Sequence, residues 1–122
     1  MNENKSILKE KSFDFAVLVV NLYKELTEQK REFIMSKQLL RSGTSIGANI
    51  REAKNAESKN DFIHKLAISQ KECDETIYWL DLLKATEFIN LETHGKITDA
   101  ASQILKMIRS SILTTKQKTH NL

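Results

Sequence analysis

The sequence has no proline and only three glycines, Gly43, Gly47 and Gly95, among 122 residues. With so few punctuating residues, a chain of strands and tight turns is excluded in favour of long helices. A single cysteine, Cys73, rules out an internal disulfide and a thiolate metal cluster, and fits a reducing compartment. The longest apolar run, Phe15 to Val20, falls far short of the roughly 20 residues of a membrane span. Residues 1–5 also lack the apolar stretch of a signal peptide, so a cytoplasmic location with no membrane contact is expected. Large charge of one sign is missing too: 19 basic and 16 acidic residues leave +3, too little to indicate nucleic-acid binding by itself.

What is present is helical periodicity in four blocks. The length suits one domain spanning 1–122, with helices expected at about 6–27, 36–56, 59–86 and 95–115. In the first block Phe13, Ala16, Val17, Val20, Tyr23 and Leu26 form one stripe, with Phe15, Leu18, Val19 and Leu22 off it. That helix is apolar nearly all round, so one side should face the bundle and the other a partner subunit. In the second, Ser36 is the expected N-cap, Leu39, Gly43, Ile46, Ile50 and Ala53 make a seam, and Gly43 and Gly47 one turn apart invite close packing, with a kink as the alternative. In the third, Ser58 and Asp61 offer a capping-box-like start to a heptad run of Phe62, Leu66, Ser69, Cys73, Thr76, Leu80 and Leu83. The fourth follows a turn at Asn90–Gly95, repeats Ile97, Ala101, Ile104 and Ile108, and ends in a polar tail from Thr115 expected to fray. Short connections make sequential helices antiparallel neighbours, so the fold class is all-α, an antiparallel up-down-up-down four-helix bundle.

Chemistry is sparse. A di-iron bundle needs a Glu-x-x-His pair on each of two helices, and His64, His94 and His120 cannot supply it, so no metal and no cofactor are expected. Cys73 has no histidine near it on its helix and occupies a core heptad position. Glu72 and Glu75 stand on adjacent turns without a binding loop, and there is no phosphate loop or Ser-His-Asp set, so no catalytic residue and no enzyme are expected.

Two polar strips are left. Gln38, Arg41, Ser45, Asn49 and Glu52 recur beside the seam of the second helix, and Glu72, Glu75, Thr76 and Trp79 along the third. The simplest reading is a structural polar network in which Arg41 pairs with Glu72 or Glu75 and is partly buried. Net charge runs 0, +2, −3 and +4 over residues 1–35, 36–57, 58–92 and 93–122. In the last segment Lys96, Lys106, Arg109, Lys116 and Lys118 face one acid, Asp99, and are candidate nucleic-acid contacts, with solubility as the plain alternative.

Residues 36–52 and 61–83 resemble the four-helix-bundle proteins encoded in intervening sequences of bacterial large-subunit ribosomal RNA genes, a family that takes in the accessory variability determinant of diversity-generating retroelements. The resemblance rests on Gln38, Arg41, Ser42, Ser45, Ile46, Asn49, Ile50 and Glu52. It continues through Phe62, Lys65, Leu66, Ile68, Lys71, Glu72, Glu75, Thr76, Tyr78, Trp79, Leu80 and Leu83. Gly47 stands where a proline is common in the family, and Ala53 where a glycine usually follows the glutamate. The resemblance implies a ring-like homopentamer with basic surface and no catalysis. In its retroelement branch it implies binding to nucleic acid and a reverse-transcriptase-like protein. The function expected is therefore a non-enzymatic homo-oligomeric module that binds RNA or a nucleoprotein partner; the alternative is a protein–protein scaffold without nucleic-acid contact.

Overall fold

The structure, a computed structural model, describes the backbone of residues 2–120 and the side chains of residues 7–118. These residues form four α-helices and no strand: α1 (Asn2–Glu28), α2 (Met35–Lys54), α3 (Lys59–Ala85) and α4 (Leu91–His120). Each helix packs on its neighbours in sequence, and α1 closes the ring onto α4, with no diagonal packing among the described residues. That adjacency is the up-down-up-down bundle, forced by connections too short to cross it.

The seams of α2, α3 and α4 run along the expected stripes: Leu39, Ile46, Leu66, Leu80, Ala101 and Ile108 are all fully buried. Helix α1 turns a different face inward. Phe15, Val19, Leu22 and Leu26 are buried, whereas Phe13 and Val17 are 58% and 44% exposed. In a helix apolar on nearly every side, periodicity does not select the inward face; fit does. The fit is made by α2, because a Cβ on Gly43 would lie 2.8 Å from both methyls of Val19, and one on Gly47 would lie 3.3 Å from the Ser12 carbonyl oxygen. The two glycines thus let the backbones of α1 and α2 approach, without a break in α2.

Four boundaries differ from expectation. Ser36 lies inside α2 and is not its N-cap; Ile34 is, and its side chain caps nothing. Glu32 supplies the cap instead, accepting from the backbone N–H groups of Ile34, Met35 and Ser36 at 3.1, 3.0 and 2.7 Å, while the Ser36 hydroxyl donates back to the Glu32 carbonyl. Helix α4 starts within the expected turn, because Asn90 accepts from the Thr93 N–H at 2.8 Å, and Gly95 sits in open space inside the helix. It also continues through the expected fraying tail to His120, residues 121–122 lying outside the described residues. Helix α1 begins at Asn2, ahead of residue 6. Helix α3 starts as expected, with Ser58 accepting from the Asp61 N–H and Asp61 reaching back to the Glu57 N–H.

Both loops at one end of the bundle place a non-glycine residue in the left-handed region, Arg31 (φ 56°) and Glu87 (φ 64°). Glu87 occupies the C′ position of a Schellman turn closed by Phe88 N–H to Leu83 O at 2.9 Å and Glu87 N–H to Lys84 O at 3.0 Å. Among the described residues no helix is long and apolar enough to cross a membrane.

Candidate functional site

The polar strips of α2 and α3 meet along one outer edge of their seam. Arg41 bridges two acidic residues one turn apart: Nη1 donates to Glu72 Oε2 at 3.1 Å, Nη2 donates to Glu75 Oε2, and Nε reaches Gln38 Oε1 at 3.4 Å. Glu72 Oε2 also accepts from the Ser45 hydroxyl at 2.7 Å, and Glu75 Oε2 from the Trp79 indole N–H at 3.0 Å. Further down, Lys65 pairs with Glu52 at 3.3 Å, and the Asn49 amide donates to the Ser45 carbonyl. The side chain of Arg41 is 50% exposed, against 20% for Glu72 and 35% for Glu75. The network therefore lies at the solvent edge, where charges are cheap to keep and pairing fixes helix register more than it stabilises.

A second, buried polar line runs inside the same seam. The Ser69 hydroxyl donates to the Ile46 carbonyl at 2.9 Å, and the Thr76 hydroxyl to Ser42 Oγ at 3.0 Å. Heptad positions mark Ser69 and Thr76 as inward-facing, though Thr76 also falls in the polar strip and Ser42 in no seam; pairing across helices is invisible in a linear sequence. No buried side-chain nitrogen or oxygen among the described residues lacks a partner. Cys73 fills the core and donates weakly to the Ala101 carbonyl at 3.3 Å. Burial, assisted by Asp74 and partly offset by Arg109, pushes its thiol up to about 12, so at neutral pH it is protonated and poorly nucleophilic. His94, placed in a turn by the sequence reading, lies in α4 and meets Asp81 Oδ1 at 2.7 Å.

The five basic candidates of the fourth helix are all exposed, but they do not share one face. Lys106, Arg109 and Lys116 follow one another at spacings that keep a single stripe, together with the 58% exposed Leu113. Lys96 is turned roughly 80° from Lys106, and Lys118 roughly 120°, at about 100° per residue. The stripe thus has three members, and the other two lie together on another face, to one side of it.

An open groove of about 370 Å³ runs between α1 and α2, floored by Ala16, Gly47 and Ala48 and edged by Phe13, Lys9 and Arg51. A second, of about 470 Å³, lies at the loop end between Lys30, Lys84, Glu25 and Glu87. Neither brings a nucleophile to a base, and no group of three His, Cys, Asp or Glu among the described residues could hold a metal ion.

Against known proteins, a sequence model of the family described as 23S rRNA-intervening sequence protein matches residues 4–110. A crystal structure of a protein of unknown function from the S23 ribosomal protein family of Bacteroides thetaiotaomicron VPI-5482 is similar at 53% identity. The match covers 89% of this chain and 97% of that one, with a TM-score of 0.89. No curated protein matches.

Proposed function

The chain belongs to the 23S rRNA-intervening sequence protein family, and from that premise we propose that it is a non-enzymatic, self-associating helical module that binds RNA, or a nucleoprotein partner, through basic surface. The observation that carries the reading is the exposed stripe of Lys106, Arg109 and Lys116 on a bundle whose acid–base strip is consumed by internal pairing. Free cations on a rigid helix suit phosphates, whereas the carboxylates that could serve as general bases are already engaged by Arg41 and by Ser45 or Trp79.

Self-association is supported by α1. Phe13 and Val17 stand out of the surface beside a groove floored by small residues, a knob next to a hole. A homopentamer, a reverse-transcriptase-like protein as alternative partner and a cytoplasmic setting follow from the family resemblance and the single buried thiol, and belong to the same reading. In a ring, weak phosphate contacts repeat on every subunit and add as avidity. The competing reading, a protein scaffold without nucleic-acid contact, draws on Phe33, Ile34 and Leu91, which are 57%, 78% and 71% exposed.

Fluorescence anisotropy with a labelled RNA hairpin, from low to physiological salt, tests the reading. Binding should weaken steeply with salt as released counterions require. Absence of binding at low salt, or binding unchanged when Lys106 and Arg109 become glutamate, would leave the scaffold reading.

A further inference from the structure

Folding redistributes the charge in a way the chain order hides. Because neighbouring helices are antiparallel, the end of α2, the start of α3 and the end of α4 come together at one end of the bundle, with the early part of α1. The polar pairs across α2 and α3 set the mid-level: Ser45 meets Glu72, above the Glu52–Lys65 pair and below the Ser42–Thr76 pair. Cys73 meeting Ala101 carries that level across to α4.

Residues 7–15, 46–71 and 103–118, which make up the half containing that end, carry eleven Lys and Arg against five Asp and Glu, a balance of +6. Residues 16–45 and 72–102, the opposite half, carry seven against ten, a balance of −3. A chain of net charge +3 is therefore a strong axial dipole. Within the basic half, Glu52 is held by Lys65 and Asp61 is spent on the cap of α3, while Arg51, Lys54, Lys59, Lys106, Arg109 and Lys116 are exposed.

Resting on the proposed RNA-binding reading, we infer that the phosphate backbone of RNA is met end-on, by the basic half of the bundle, with the acidic half turned away. Two observations favour a phosphate backbone over other polyanions. Exposed Arg51, Lys54 and Lys59 at the α2–α3 turn share the end of the bundle with Lys116 of α4, so the cations are spread across that end as an extended phosphate backbone requires. Tyr78 and Trp79 sit in the other half, the Trp79 indole tied to Glu75, and the exposed Phe13 of the basic half belongs to the proposed subunit contact, so recognition uses charge and backbone, not stacked bases. Self-association amplifies the effect where the bundles of a cyclic ring stand along its rotation axis, since every subunit then presents the same end on one side. One rim then gathers the positive charge and the other the negative, which orients the RNA on approach.

The test uses the full chain and two charge-swapped variants of equal net charge. Lys54→Glu with Lys59→Glu alters the basic end, away from the α4 stripe; Lys24→Glu with Lys84→Glu alters the acidic half, all four side chains being exposed. Lys59 and Lys84 are roughly 37 Å apart along α3, several Debye lengths at about 0.1 M salt. The basic-end variant should bind the RNA hairpin about tenfold or more weakly, with a salt slope shallower by about 1 for each lysine that meets a phosphate. The acidic-half variant should bind within about twofold of the unaltered chain. Equal loss in both, or loss only on altering Lys106 and Arg109, overturns end-on binding while RNA binding stands. No binding by the unaltered chain removes the underlying reading itself.

Because a variant could fail to fold, lysine acetylation of the unaltered protein with and without RNA provides a second measurement. Protection of Lys54, Lys59 and Lys106 but not of Lys24 and Lys84 supports the inference, and uniform protection overturns it. Co-sedimentation with phosphatidylserine-containing vesicles that RNA does not compete away would assign the basic end to a membrane surface and overturn it as well.

Discussion

Replacing Gly43 by alanine sets two effects of known size against each other. Helix propensity favours alanine over glycine by about 1 kcal/mol in a helix interior. Gly43 is buried in α2, however, and its new Cβ would stand 2.8 Å from Cγ1 and Cγ2 of Val19 and 3.2 Å from its Cβ. Carbon atoms pack comfortably at about 3.5 to 4.0 Å. Val19 is fully buried, and its branched side chain has one favoured rotamer in a helix, so it cannot swing both methyls aside. Instead α1 and α2 must part, and overpacking of that kind costs about 1 to 3 kcal/mol.

The expected result for Gly43→Ala is a net loss of about 1 kcal/mol. Gly95→Ala is the control: it meets nothing within 4 Å and should gain close to the full propensity difference of about 1 kcal/mol. Urea titrations at one fixed protein concentration, read as midpoint shifts at constant m-value, measure both. Adding Val19→Ala to Gly43→Ala should recover part of the loss, as a coupling of about 1 kcal/mol or more between touching residues. If Gly43→Ala stabilised the protein as much as Gly95→Ala, or if its effect simply added to that of Val19→Ala, the close approach of α1 and α2 would be refuted.

Arg41→Ala should cost no more than about 1 kcal/mol by thermal melting, because Arg41 is half exposed and its acidic partners can turn to water; a loss several times larger would mean the network is buried by a partner subunit. Burial raises the Glu32 carboxyl, but hydrogen bonds from the Met35, Ser36 and Ile34 backbone and the Ser36 side chain outweigh it and hold it below its usual value. The cap's contribution is therefore complete above the ordinary glutamate range and lost as pH falls through the lower folded-state value. Glu32→Gln should cost about 1 to 2 kcal/mol at neutral pH and flatten the acid limb of the stability profile, whereas an unchanged limb would exclude the cap. Glu87→Gly should stabilise by about 1 kcal/mol, since only glycine adopts the left-handed region of φ 64° without penalty, and a lower melting temperature would contradict the Schellman assignment.

The parts of this fold legible in the sequence are those where apolar and polar residues alternate sharply. The heptads of α3 and the seam of α2 leave one possible inward face each, and Ser58 with Asp61 states its capping chemistry within four residues. Helix α1 offers no such contrast, so its inward face is decided by the hollow at Gly43; the glycine spacing announces a close approach, but not that Val19 fills it. Ser36 has the right residue type for a cap, yet Glu32, four positions earlier, has the longer reach and folds over three N–H groups. Among the site residues, the same-face spacing of Arg41 and Ser45, and of Glu72 and Glu75, was visible. That Glu72 takes Ser45 while Glu75 takes Trp79 depends on helix register, which only the packed seam defines. Charge tallied along the chain likewise mixes two ends of the bundle in every segment, so the axial separation appears only once the helices are antiparallel.

Mass in solution tests the central claim of a self-associating module most directly. Phe13 and Val17 lie exposed beside the Gly47–Ala48 groove, and burying that face in a partner is the expected outcome. Gel filtration coupled to light scattering at micromolar concentration should give a particle several times the 14.0 kDa chain, fivefold for the pentamer, that dissociates when Phe13 is replaced by glutamate. A single 14.0 kDa species for the unaltered chain would contradict it.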